Sequence, residues 1–119
     1  MANAPPRALI VEDDPAIRRL VEKLLARRGI EIVLARDGRE AIGHAGDFSV
    51  VVLDLMVPEV NGFELIEFIK REKKRVPVAV VSAVSQQALT DLDLDVVKLV
   101  IAKPFDVEEF TNGILALCK

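Results

Sequence analysis

Five short apolar runs, alternating with stretches of helical periodicity, constrain this chain more than any other feature. They are residues 8–11 (ALIV), 30–35 (IEIVLA), 50–53 (VVVL), 78–81 (VAVV) and 99–102 (LVIA). Most are continuous rather than alternating, and rich in valine. A strand that is apolar at every position is covered on both faces, as in a parallel sheet sandwiched between helices.

The clearest helical stretch begins at Pro15, where Ile17, Leu20, Val21, Leu24 and Leu25 share one face and arginines take the other. Asp14-Pro15 is a good helix start, and Gly29 stands where a closing glycine belongs. Further helices are expected over residues 38–45, after Gly62 (Leu65, Ile66 and Ile69 aligned), over 86–95, and over 107–117 with Val107, Phe110 and Ile114 in register. The chain thus reads as (βα)5, a doubly wound α/β fold. Right-handed crossovers favour a five-stranded parallel sheet in the order 2-1-3-4-5, with a crevice where the first and third strands end.

A length of 119 residues suits one domain. Residues 1–6, ending in Pro5-Pro6, read as a flexible N-terminal tail, and 7–119 as the folded domain. Apolar residues make up 51%, enough for a true core. The net charge of −3 argues against direct nucleic acid binding, which needs basic surface to displace counterions. A single cysteine, Cys118, permits neither an internal disulfide nor a zinc site. No apolar run reaches membrane-spanning length, and the first residues lack the pattern of a signal peptide. The expectation is a cytoplasmic protein with no membrane partner.

Polar residues follow four of the five apolar runs: Glu12, Asp13 and Asp14 after the first, Asp54 after the third, Ser82 after the fourth and Lys103 after the fifth. In the expected strand order all of these reach one rim of the sheet. Taken singly, each has a plain reading as a cap, turn or loop residue. Together, Glu12, Asp13 and Asp54 would repel one another unless a cation filled the space between them. An all-oxygen donor set without histidine or cysteine points to Mg²⁺ or a similar hard ion. Lys103 adds a positive charge and Ser82 a hydroxyl. This is the equipment of phosphoryl transfer, which works by positioning and charge neutralisation.

These residues resemble the receiver domain of bacterial response regulators, from about Arg7 to the end of the chain. The acidic pair Glu12-Asp13 comes first. Residues 54–62 (DLMVPEVNG) match the family's D-x-x-x-P-x-x-x-G, Ser82-Ala83 its Ser/Thr followed by a small residue, and Lys103-Pro104-Phe105 its K-P-F. The resemblance implies a flavodoxin-like fold and a phosphoacceptor switch of two-component signalling. Asp54 would take a phosphoryl group from a sensor histidine kinase or phosphotransfer protein, as a carboxylate nucleophile. Asp13, Asp54 and the main-chain carbonyl of Met56 would bind Mg²⁺, with Glu12 acting through a water. Lys103 would pair with the phosphoryl group, Ser82 would bond one of its oxygens, and Ala83 would leave it room. The bond before Pro104 would be cis. An output domain or downstream protein would read the state from the face built by the fourth helix, fifth strand and last helix. The chain would be no enzyme towards external substrates, but would catalyse its own phosphorylation and dephosphorylation.

The sequence departs from the family at Val100, where an aromatic switch residue is usual. A different or weaker conformational response is expected there. Met56 and Val84 are apolar at positions that tune hydrolysis in the family, which implies a comparatively long-lived phosphoryl state. Residues 91–95 (DLDLD) superficially resemble a phosphatase D-x-D motif but follow no apolar strand; a solvated helix end is the simpler reading. His44 is expected to be exposed and Cys118 inert. The alternative function is a pseudo-receiver, an interaction module without a phosphate cycle. A small metal-dependent phosphatase ranks last, since no residue stands as a general acid for an external substrate.

Overall fold

A computed structural model describes residues 5–43, 48–54, 62–72, 76–82, 95–103 and 105–118, with the side chains of 38, 42, 43, 62, 63 and 82 excepted. Five strands form one parallel sheet: β1 (Arg7–Val11), β2 (Glu31–Ala35), β3 (Val50–Leu53), β4 (Val78–Ser82) and β5 (Val97–Ala102). Their order is β2-β1-β3-β4-β5, the one expected from the alternation of patterns. Four helices lie among the described residues: α1 (Pro15–Ala26), α2 (Gly38–Gly43), α3 (Gly62–Glu72) and α4 (Val107–Leu117). The helix expected over 86–95 falls outside the described residues, apart from Asp95 in the turn before β5.

Successive residues of the central strands alternate between two cores. Leu9, Val11, Val51, Leu53, Val78 and Val80 face α2 and α3, where Ala41, Leu65, Ile66 and Ile69 are buried. Ala8, Ile10, Val50, Val52, Ala79 and Val81 face α1 and α4, against Val21, Leu25, Phe110 and Ile114. This is why the runs are apolar throughout: period-two geometry sends neighbours to opposite faces, and both faces are covered.

Each helix start described in full has an aspartate. Asp14 Oδ1 accepts from the N–H groups of Ala16 (2.9 Å) and Ile17 (3.3 Å), with Pro15 opening α1. Asp37 accepts from Glu40 N–H and Asp106 from Glu109 N–H, each at 2.8 Å. These bonds satisfy donors that have no partner inside the helix. Gly29 closes α1 at φ +83°. Its N–H donates to the Ala26 carbonyl, and Ile30 N–H reaches back to Leu25. These are the two bonds of a Schellman closure, and Leu25 and Ile30 meet in the same core.

Three details differ from the sequence pattern. Leu20, expected on the buried face of α1, is 44% exposed, because the sheet is met by Val21 and Leu25 with only the flanks of Ile17 and Leu24. Val107 is likewise exposed, since α4 makes its first buried contact at Phe110. β5 begins two residues early and carries a bulge. Val97 stands opposite Val78 and Leu99 opposite Ala79, so Lys98 is an extra residue. The bulge lets Val97 enter one core while Leu99 and Ile101 pack on the other.

Candidate functional site

The sheet itself positions the acids. Glu12 N–H donates to the Ala35 carbonyl (3.1 Å) and Asp54 N–H to the Val11 carbonyl (3.0 Å). Both bonds continue the ladder one residue past the strand ends. Because Val11 pairs with Leu53, the next residues, Glu12 and Asp54, emerge side by side. Both are buried, at 5% and 8% exposure, whereas Asp13 between β1 and α1 is exposed. One ligand atom from each of the three carboxylates lies within 4.8 Å of the others.

Lys103 follows β5, two strands from β3 and so about 10 Å across the sheet. Its long side chain and those of the acids meet across that gap. The Nζ atom donates to Glu12 Oε1 at 2.8 Å and to Asp54 Oδ2 at 2.9 Å. These are charge-assisted bonds in a nearly dry place. Burial pushes the Glu12 carboxyl above the usual carboxylate range, against the opposing pull of its Lys103 bond. Burial also disfavours the Lys103 ammonium, but its bonds and attraction to Glu12 and Asp54 together outweigh that and raise it. Lys103 is therefore a firmly held cation.

Ser82 ends β4 with its backbone paired to Ala102, on the same rim as Lys103. Val100 lies on edge strand β5 and is 40% exposed. Met56, Ala83 and Pro104 lie outside the described residues, as do Val84, His44 and residues 91–94. Cys118 packs on the core beside α1 and α4, and burial raises its thiol, which suits an inert side chain. Among the described residues no helix is long and apolar enough to cross a membrane.

One residue of this region was not singled out by pattern. Arg18, on the arginine-bearing side of α1, places Nη1 3.1 Å from the Glu12 carbonyl and 3.5 Å from that of Asp13. A signal was present. A cation so near a helix N-terminus opposes the helix dipole and calls for a local partner, which the acidic loop supplies.

Comparison with known proteins agrees with this arrangement. The family model for the response regulator receiver domain matches residues 8–115. The chain belongs to that family, a family of signalling switches. It is 37% identical over 111 residues to the uncharacterized transcriptional regulatory protein YcbL of Bacillus subtilis, covering 91% of this chain and 49% of YcbL. It is 33% identical to the transcriptional regulatory protein TcrA of Mycobacterium tuberculosis, covering 95% of this chain and 46% of TcrA. The chain thus spans about half the length of these curated relatives. Among solved structures, the response regulator TrrA of Thermotoga maritima, in complex with Mg²⁺ and BeF, superposes with a TM-score of 0.85. It shares 29% identity, covering 94% of this chain and 98% of that one. The non-phosphorylated HemR receiver domain of Leptospira biflexa gives 0.84 at 30% identity, covering 96% and 94%.

Proposed function

We propose that this receiver domain accepts a phosphoryl group on Asp54 from a histidine kinase or phosphotransfer protein, in a magnesium-dependent reaction. A partly buried lysine bridging two buried acids from different strands, with a third carboxylate alongside, is the observation that carries this reading. Among the described residues the cluster brings together three carboxylates and one ammonium, so a hard cation suits its surplus of charge and its all-oxygen donors. Asp13 and Asp54 would hold Mg²⁺ directly, Glu12 through water, and the carbonyl of Met56 would complete the protein's share. When bound, the ion supplies charge neutralisation for the transferring phosphoryl oxygens.

The remaining chemistry belongs to the chain. An Asp54 oxygen attacks phosphorus, the bond from phosphorus to the donor imidazole nitrogen breaks, and the imidazole leaves with its electron pair to be protonated. Lys103, now on Asp54 Oδ2, shifts to a phosphoryl oxygen as that carboxylate loses its charge. By the family's pattern, Ser82 would donate its hydroxyl to another oxygen, and the small Ala83 would leave space for it. In the full protein, an output domain or a downstream partner would read the change. Val100 is stiff at χ1 and cannot swing inward as an aromatic does, so the response on that face would be weaker or different.

The test is incubation with Mg²⁺ and acetyl phosphate, followed by intact mass, with Asp54→Asn alongside. A single phosphoryl adduct is expected, absent in EDTA and in the variant. No adduct, together with failure to bind beryllofluoride, would replace this reading with an interaction module lacking a phosphate cycle.

A further inference from the structure

The loop joining β1 to α1 uses its polar atoms thoroughly. Glu12 N–H is bound by the Ala35 carbonyl. The Glu12 carboxylate takes Lys103 on Oε1 and Asp14 N–H on Oε2 (3.3 Å). The Asp14 carboxylate caps α1, and its carbonyl accepts from Arg18 N–H at 2.9 Å. Among the described residues, the Asp13 carboxylate alone of the loop's three carboxylates receives no donor. The carbonyls of Glu12 and Asp13 are left, and both turn to one nitrogen, Arg18 Nη1.

Those carbonyls belong to the two peptide planes on either side of the Asp13 Cα. Planar peptides leave only φ and ψ free between them, so restraining these planes sets the direction in which the Asp13 Cα–Cβ bond leaves the loop. The shorter contact is a full hydrogen bond; the longer one adds attraction without much direction. Arg18 is half-buried over the loop, and its position is otherwise unfavourable: it opposes the helix dipole and stands near a site for a divalent cation.

We infer that Arg18 is a positioning residue, which holds the peptides flanking Asp13 and so aims its carboxylate at the cation site. The inference rests on the magnesium-dependent reading above. It reverses what charge alone requires. A bare cation beside the site repels Mg²⁺, so removing it would tighten binding. A residue that aims a ligand does the opposite, and loss of such outer support costs about tenfold or more in metal affinity.

The sign is read by titrating MgCl₂ into ¹⁵N-labelled protein and following amide shifts around the site, since the chain has no tryptophan. Arg18→Met, which keeps the stem and removes charge and donors, should bind Mg²⁺ about tenfold more weakly. Arg18→Lys keeps the charge but lacks the planar fork, and should fall between; it carries the test if the Met variant does not fold. In EDTA, relaxation of the Asp13 and Asp14 amides should show added motion in Arg18→Met. Equal or tighter Mg²⁺ binding by the variants, or an unchanged loop, overturns the inference and leaves the phosphoacceptor reading standing. A wild-type chain that binds no Mg²⁺ overturns both.

Discussion

At the scale of single residues, the site is a balance between burial and charge. Glu12 binds its proton more tightly in the folded protein than its ordinary value of 4.5 allows, chiefly because it is buried. From that value up to the folded one, the native state holds more proton than the unfolded chain, so this group lowers stability as pH rises. In EDTA, Glu12→Gln should therefore gain on wild type as pH climbs through that window and level off above it, as read by urea midpoints. Lys103 has the opposite consequence. Its contribution is whole below the ordinary value of 10.5 and fades as pH rises through the raised folded one. Lys103→Met would leave two buried carboxylates facing each other. In EDTA it should cost on the order of 3 kcal/mol near neutrality, and added Mg²⁺ should recover part of that. The acids and the lysine were legible in sequence because each follows an apolar run. Arg18 offered only the hint of a cation near a helix N-terminus, because its partners are main-chain carbonyls, which carry no residue identity.

At the scale of elements, periodicity found the five strands and the four helices among the described residues because burial imposes it. It erred where an element meets the core along only part of its length. Leu20 and Val107 satisfy the helical spacing, yet the packing leaves them outside. The approach of α4 to β5 was equally invisible. A Cβ on Gly113 would stand 2.7 Å from Leu99 Cδ2. Alanine inside a helix is favoured over glycine by about 1 kcal/mol, but here it must displace the leucine tip. Gly113→Ala alone should change stability by less than about 0.5 kcal/mol, the two effects cancelling. In a Leu99→Ala background the same change should stabilise by about 1 kcal/mol. Chemical denaturation of the four proteins of this cycle isolates the contact.

At the scale of the whole molecule, the site sits where the topology converges, and its acidic surplus works against the metal-free fold. Asp13→Asn should raise the melting temperature in EDTA by about 3 °C through relief of repulsion. With Mg²⁺ at about 100 times its dissociation constant, mass action should add about 2.7 kcal/mol to the wild type and distinctly less to the variant. Differential scanning calorimetry in both buffers checks the pair.

The bulge at Lys98 bears on how the chain can change in length. Deleting Lys98 would leave Val97 opposite Val78 and Leu99 opposite Ala79 in an unbroken ladder, with every later residue on its present face. In a regular stretch of strand, the same one-residue loss would turn the rest of the strand over. The number of residues between Ser82 and Lys103 is thus adjustable at this point, and a homologous chain one residue shorter there would still bring its lysine to the same two acids.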